Sequence, residues 1–218
     1  MATVLVTGAN RGIGLGFARE HAGRGDRVLG TARRPEEAAE LAAVAARVLP
    51  LDVTDDASVA ALAGELAGES IDLLVNNAGI LVDDDLDSVD PADVLAQVDA
   101  NAVGPLRVTR ALRRRLAPEG KVACVSSVMG SIGENESGGW YGYRASKAAL
   151  NAIVKNLSID LAPVPVVALH PGYVKTEMTG RGEIGPDESA AALVRLLDRL
   201  GRPETGRFFD RHGRELPW

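Results

Sequence analysis

Two tyrosines near the middle of the chain could act as proton donors. They lie in the segment GGWYGYRASKAAL, residues 138–150. Arg144 follows Tyr141 by three positions and Lys147 follows Tyr143 by four, so on a helix each tyrosine has a cation on its own face. A free tyrosine has a pKa of about 10, which a nearby ammonium lowers. The two tyrosines lie about 200° apart around a helix, so they cannot share one site. The segment alone therefore offers two candidate pairs.

A glycine-rich turn follows the first predicted strand. The sequence TGANRGIG places Gly8, Gly12 and Gly14 between that strand and a predicted helix. Glycine is needed where the backbone adopts a positive φ or approaches a phosphate, and the N–H groups that open a helix attract a pyrophosphate. Three glycines are a weak signal in a chain that has 24 of them. The strand–turn–helix context at the start of the chain makes the turn a predicted dinucleotide site.

Arginines surround the predicted nucleotide site. Arg33 and Arg34 end the second predicted strand, where a cofactor without a 2′-phosphate favours an acidic residue. Arg11 lies within the glycine turn itself. Guanidinium groups match phosphate in charge and geometry, whereas two arginines that merely open a helix are slightly disfavoured by its dipole. The sequence therefore favours NADP(H) over NAD(H).

The elements that position these residues are predicted from short apolar runs that alternate with Ala- and Leu-rich segments. The strands are rich in β-branched residues, as strands buried on both faces should be. Alternation of strands and helices predicts a parallel sheet with helices on both faces. No linker divides the chain, so 1–218 is predicted to be a single domain. Strands are predicted at 3–7, 27–32, 47–53, 71–76, 121–127, 164–170 and 206–210, and helices at 12–24, 35–46, 55–67, 91–116, 140–162 and 187–200.

Charge and composition exclude several classes of protein. The net charge is −6, which argues against affinity for nucleic acid or anionic membranes. A membrane helix needs about 20 apolar residues, and neither such a run nor a targeting segment is apparent. The single cysteine, Cys124, cannot form an internal disulfide, which favours the cytoplasm, and its apolar surroundings predict an inert buried thiol. His21 and His212 are predicted to be surface residues.

No metal site is predicted from the acidic or histidine-containing segments. The stretch 83–90 has Ser88 where a calcium loop needs glycine and is followed by Val94 where such a loop needs glutamate. It is predicted to be a solvated loop that ends in a helix cap at Asp90-Pro91. No His, Cys and Asp residues have the spacing of metal ligands.

The motifs together resemble the short-chain dehydrogenase/reductase family, in its compact single-domain branch, over essentially the whole chain. The resemblance implies a three-layer, doubly wound Rossmann fold with a parallel sheet of about seven strands. NRGIGLG, GGWYGYRASKAALN and the ending TGRFFDRHGRELPW are more narrowly similar to the C-factor-like and sniffer-like carbonyl reductases. The family motifs are matched by TGANRGIG, LDVTD at 51–55, NNAG at 76–79, VSS at 125–127, YRASK at 143–147 and HPGYVKT at 170–176.

The resemblance also implies a catalytic set. Tyr143 would be the acid/base, Lys147 would lower its pKa and bind the nicotinamide ribose, and Asn101 would hold a water of the proton relay. Ser127 would orient the substrate carbonyl; its neighbour Ser126 is the alternative, because alternation along a strand lets only one of the two face the site. Tyr141 and Trp140 would then belong to the pocket rim or to the helix start. The implied cofactor-binding residues are Gly8, Asn10, Arg11, Gly12, Ile13, Gly14, Arg33, Asp52, Val53, Asn77, Ala78, Gly79, Tyr143, Lys147, Pro171, Gly172, Val174 and Thr176.

The implied reaction is hydride transfer between NADP(H) and a carbonyl or alcohol substrate. Only about ten residues, 177–186, separate the HPGYVKT loop from the last helix, which predicts an open pocket for small or medium aldehydes and ketones. A non-catalytic NADP(H)-sensing regulator is the alternative, although such a protein would be expected to have lost members of the catalytic set. Helices 99–116 and 140–162 carry apolar positions on more than one face, which predicts a homodimer or homotetramer.

Overall fold

A computed structural model describes all 218 residues, which fold around one parallel sheet. Its strand order is β3-β2-β1-β4-β5-β6-β7, and every neighbouring pair is parallel. The order reverses at β1, so a crevice opens between the carboxyl ends of β1 and β4. The strands are β1 (Thr3–Val6), β2 (Arg27–Ala32), β3 (Arg47–Pro50), β4 (Ile71–Asn76), β5 (Leu116–Val125), β6 (Val166–His170) and β7 (Phe208–Asp210).

Helices cover both faces of this sheet. On one face Phe17 packs with Leu193, and on the other Leu112 packs with Leu150. Residues 4–6 of β1 are wholly buried between the two layers, which explains why the strands are apolar on both sides. The predicted three-layer, doubly wound architecture is confirmed. The helices are α1 (Gly12–Gly23), α2 (Ala39–Ala42), α3 (Asp56–Glu65), α4 (Pro91–Val98), α5 (Gly104–Leu112), α6 (Tyr141–Asp160) and α7 (Pro186–Arg199).

The predicted elements differ from the observed ones in two regions. The helix predicted at 91–116 is divided into α4, a π-helical segment at Asp99–Val103, and α5. Its last predicted residue already belongs to β5, whose pairing with β4 shifts register between Ile71 and Leu73. The helix predicted at 35–46 is only a 3₁₀ turn followed by α2, because Ala38 has non-helical dihedrals and interrupts it.

Two buried side chains bear on the sequence predictions. Cys124 is buried in β5, and burial raises the pKa of its thiol to about 12, so the thiol stays protonated and inert as predicted. The prediction that His21 lies at the surface is wrong. The last turn of α1 buries it, and its Nδ1 lies 2.9 Å from a carboxylate oxygen of Asp26. No helix combines the length and the apolar character that a membrane span requires.

Candidate active site

A cleft of about 1000 Å³ opens at the carboxyl ends of the strands. It brings together the predicted site residues from all along the chain, with one exception. Gly14 does not line it and lies behind the turn. The predicted residues that do line the cleft are Gly8, Asn10, Arg11, Gly12, Ile13, Arg33, Asp52, Val53, Asn77, Ala78, Gly79, Asn101, Ser127, Tyr143, Lys147, Pro171, Gly172, Val174 and Thr176.

The glycine turn is shaped by its own backbone and by the end of β4. Gly8 and Gly12 have φ values of +62° and +55°, which side chains other than glycine rarely adopt. The amide of Asn77 donates to the carbonyl oxygens of Thr7 at 3.0 Å and of Gly8 at 3.1 Å, which ties the turn to the neighbouring strand. No side chain caps α1, and its first turn has no acidic residue. Its first N–H groups therefore fit the pyrophosphate of a dinucleotide.

The three arginines near the turn have different partners. Arg34 is paired with Glu37 at 2.7 Å, and Arg11 is paired with Glu177 at 2.5 Å. Arg33 makes no hydrogen bond or ion pair within the chain, although it lines the cleft. Of the three, Arg33 is thus the guanidinium that is free to meet a phosphate.

The carboxylate of Asp52 lies near Arg33 at the far end of the cleft. It accepts hydrogen bonds from the backbone N–H of Thr54 at 2.9 Å and from its hydroxyl at 2.6 Å. These bonds, chiefly the one from the hydroxyl, lower the pKa of Asp52, and the positive charge of Arg33 adds to the effect. Asp52 is therefore a fixed, ionised acceptor beside the cleft.

Tyr143 and Lys147 lie one turn apart on α6 and both face the cleft. The ammonium of Lys147 is buried, donates to the carbonyl oxygen of Val125 at 2.8 Å, and lies 5.6 Å from the centroid of the Tyr143 ring. Burial lowers the pKa of Lys147 to about 8. Burial also raises the pKa of Tyr143 to about 12, while hydrogen bonding with Ser127 acts in the opposite direction.

The net effect on the Tyr143 pKa is thus set by burial, and the lowering by Lys147 stays a prediction. Burial disfavours the charged phenolate, and the ammonium of Lys147 is directed to a carbonyl of β5 rather than to the phenol oxygen. At neutral pH Tyr143 is consequently protonated. A tyrosine in this state can donate a proton but cannot accept one.

The two serines at the end of β5 point in different directions. Both line the cleft, but the hydroxyl of Ser126 donates to Oδ1 of Asn151 at 2.6 Å. The hydroxyl of Ser127 accepts from the backbone N–H of Met129 at 3.2 Å and interacts with Tyr143. This geometry favours Ser127 over Ser126 as the partner of Tyr143.

Asn101 lies in the π-helical segment and joins three parts of the site. Its Oδ1 accepts from the N–H of Ile80 at 2.7 Å, and its Nδ2 donates to the carbonyl of Ile80 at 2.8 Å and to the hydroxyl of Ser146 at 2.9 Å. A side chain at Gly79 would come within 2.7 Å of this amide. The Asn101 side chain thus connects the loop after β4 to α6 through hydrogen bonds. A proton relay through Asn101 stays a prediction.

His170 ends β6 and faces the cleft beside the loop that the family places over the nicotinamide. Its Nδ1 accepts from the backbone N–H of Val128 at 3.3 Å, next to Ser127. Burial lowers the pKa of His170 to about 4, so the ring is neutral at physiological pH. No local pattern predicts this contact, because the two strand ends meet only in the folded sheet.

Asp84 caps α6 from outside the helix, a role that sequence reasoning missed. It belongs to the stretch 83–90, but it is only 8% exposed rather than solvated. Its carboxylate accepts from the N–H groups of Tyr141 at 2.5 Å and Gly142 at 3.3 Å. The predicted cap at Asp90, which accepts from Ala92 N–H at 2.8 Å, is observed. No local pattern reveals the Asp84 cap, because its partners lie 57 and 58 residues away.

Replacing Asp84 with alanine should lower the free energy of unfolding by about 1–2 kcal/mol, because the first N–H groups of α6 lose their acceptor. Urea denaturation of the two proteins measures the difference. Asp87 is an exposed carboxylate in the same loop and accepts no hydrogen bond, so Asp87→Ala should change stability by less than about 0.5 kcal/mol. Equal effects of the two variants would contradict the capping role.

The residues just before Tyr143 have unusual backbone conformations. Gly138, Gly139 and Trp140 have φ values of +66°, +64° and +48°. The left-handed conformation costs a bulky residue about 1–3 kcal/mol and is seldom seen outside functional sites. Trp140 lines the cleft, whereas Tyr141 does not and is 42% exposed. Of the two residues predicted for the rim or the helix start, only Trp140 therefore reaches the pocket.

This architecture, with its glycine turn after β1 and its tyrosine and lysine on α6, defines a class of oxidoreductase. The chain belongs to the short-chain dehydrogenase family, whose model matches residues 2–185. Among its relatives, the 1-hydroxy-2-glutathionyl-2-methyl-3-butene dehydrogenase of Rhodococcus sp. (strain AD45) is 40% identical, and the match covers 100% of both chains.

Two solved structures are similar to this chain over its full length. Carbonyl reductase Sniffer of D. melanogaster has a TM-score of 0.95 at 31% identity, with 100% of both chains covered. The NADPH bound carbonyl reductase from chicken fatty liver has a TM-score of 0.92 at 33% identity, with 100% of this chain and 99% of that chain covered. The family resemblance predicted from the motifs is confirmed, including its sniffer-like part.

Proposed function

We propose that this protein is an NADP(H)-dependent carbonyl reductase that acts on small or medium aldehydes and ketones. The observation that carries the proposal is the meeting of Ser127, Tyr143 and Lys147 in the same cleft as the glycine turn and Arg33. A proton donor, a carbonyl-binding hydroxyl and a cation then lie beside a dinucleotide site. The likeness to carbonyl reductases, one of them NADPH-bound, supports the same activity.

The cofactor assignment rests on the donors of the cleft. The N–H groups that open α1 would bind the pyrophosphate, and Asp52 would lie on the adenine side. Arg33 is the unpaired cation at the end of β2, and Arg11 could join it by leaving Glu177. These cations suit the 2′-phosphate that distinguishes NADP(H) from NAD(H).

In the proposed reaction NADPH supplies the hydride when it is bound. The hydroxyl of Ser127 donates to the carbonyl oxygen and orients it. Tyr143, which its raised pKa keeps protonated, donates its proton to the developing alkoxide. Lys147 binds the ribose hydroxyls and provides positive charge beside the tyrosinate that forms. Because Tyr143 is protonated at neutral pH, it is in the state that carbonyl reduction requires of a proton donor.

The test is NADPH oxidation over a panel of aldehydes and ketones of increasing size, measured against buffer and against Tyr143→Phe. The proposal expects turnover of several members by the wild-type protein alone. If NADPH binds tightly and no member is turned over, the protein is better explained as a non-catalytic NADP(H)-sensing regulator.

Replacing Arg33 with aspartate should raise the KM for NADPH about tenfold to hundredfold and leave the KM for NADH unchanged or lower. A charge-assisted contact to the 2′-phosphate is lost, and a like charge is added. Steady-state kinetics with both cofactors measures this. Arg34→Asp is the matched control, because Arg34 is already paired with Glu37. This substitution should change the ratio of the KM for NADPH to the KM for NADH by less than about threefold. If the two variants behave alike, Arg33 does not bind the phosphate.

We also expect a homodimer or homotetramer. Leu95 of α4 is 70% exposed and Ile159 of α6 is 64% exposed, and both are large apolar residues on outer helices. Light scattering of the purified protein gives its mass in solution.

A further inference from the structure

Trp140 has a backbone conformation that its own residue type disfavours. It is the only residue other than glycine with a positive φ, and two left-handed glycines precede it. Asparagine or glycine would adopt this conformation more readily than a large aromatic residue. The strained residue is fixed from outside: its N–H donates to the carbonyl oxygen of Asp84 at 2.8 Å, and its own carbonyl accepts the N–H of Arg144. The fold therefore maintains a tryptophan where the backbone alone would not favour one.

The Trp140 side chain lies in the cleft. Trp140 immediately precedes α6, three residues before Tyr143, and both residues line the cleft. The chain has two tryptophans, and the other, Trp218, stacks on Phe208 at 5.9 Å between ring centroids. Trp140 has no aromatic partner in the chain. Its indole is thus an aromatic surface exposed to the cleft beside the proposed proton donor.

Apolar side chains contribute to the walls of the same cleft. Leu81, Met129 and Met178 also line the cleft, and Tyr173 adds a second aromatic ring. A flat apolar group can stack on an indole and be enclosed by such side chains, whereas a small aliphatic chain gains little from it.

We propose that Trp140 determines substrate specificity by forming the wall on which a flat, apolar substituent of the carbonyl carbon stacks. If the protein has the proposed reductase function, aryl and other planar conjugated carbonyl compounds are its favoured substrates. The left-handed run 138–140 then serves to direct the indole into the cleft.

Trp140→Asn tests the inference without straining the fold, because asparagine tolerates the left-handed conformation. It should lower kcat/KM for benzaldehyde about tenfold to hundredfold and for butanal less than about threefold. Tyr141→Asn is the matched control, because it removes the adjacent aromatic ring, which does not line the cleft. It should leave the ratio of kcat/KM for benzaldehyde to kcat/KM for butanal unchanged. An equal loss for both aldehydes, or no loss for benzaldehyde, overturns the proposal.

A second measurement does not depend on turnover. In a Trp218→Phe background, which keeps an aromatic ring beside Phe208, Trp140 is the only tryptophan. With NADP⁺ present, benzaldehyde should quench its fluorescence to saturation, after correction for light absorbed by the aldehyde, and butanal should not. Absence of saturable quenching overturns the stacking contact. Quenching without turnover of any carbonyl would retain the contact and refute the reductase function instead.

Discussion

Tyr143→Phe should lower kcat for NADPH-dependent carbonyl reduction by about a hundredfold to ten-thousandfold. The substitution removes one oxygen atom and leaves the ring, so the alkoxide loses its positioned proton donor while the cleft keeps its shape. Its two polar neighbours are otherwise engaged: Ser127 interacts with Tyr143 itself, and Lys147 donates to the carbonyl of Val125. Stopped-flow or steady-state NADPH oxidation measures the loss, and NADPH titration should give the same Kd for both proteins.

Tyr141→Phe is the control for this prediction, because Tyr141 lies on the same helix and points out of the cleft. It should leave kcat within about twofold of the wild-type value, as exposed positions usually do. If Tyr143→Phe retained a tenth of the wild-type kcat, or if Tyr141→Phe lost as much, Tyr143 would not be the acid.

The choice between these tyrosines illustrates what the sequence could establish. Spacing alone gave each a cation, and the motif favoured Tyr143; the folded helix then turns Tyr143 into the cleft and leaves Tyr141 outside it. The pKa was not predictable in the same way. Proximity to Lys147 suggested a lowered value, but the degree of burial is a property of the whole fold, and burial raises it.

Features that depend on distant contacts were also beyond the sequence. The strands and the long helices follow from local periodicity, which is why most of their bounds agree within a few residues. The Asp84 cap and the Asn101 hydrogen bonds join segments that only the parallel sheet brings together. The π-helical turn that carries Asn101 has no distinct residue pattern, since its members also suit an α-helix.

The role of Gly14 could not be predicted from the glycine motif. The motif does not show whether a glycine contacts the ligand or allows close packing behind the turn. A Cβ atom at Gly14 would overlap the carbonyl oxygen of Gly8 and lie 2.5 Å from Nδ2 of Asn77. Both atoms belong to the hydrogen bond that fixes the turn against β4. Gly14 therefore supports the nucleotide site from behind, which explains why it lies outside the cleft.

Gly14→Ala should accordingly weaken NADPH binding at least about a hundredfold and lower the free energy of unfolding by about 1–3 kcal/mol. The added methyl must push the turn away from Asn77, so the N–H groups that open α1 no longer converge on a pyrophosphate. Gly23→Ala, at the other end of α1, meets no atom within 4 Å and should stabilise the helix slightly without affecting NADPH. Titration with NADPH and urea denaturation of both variants separate the two effects. If the Kd of Gly14→Ala for NADPH is within threefold of the wild-type Kd, the turn can shift without loss of binding, and its exact shape does not determine cofactor affinity.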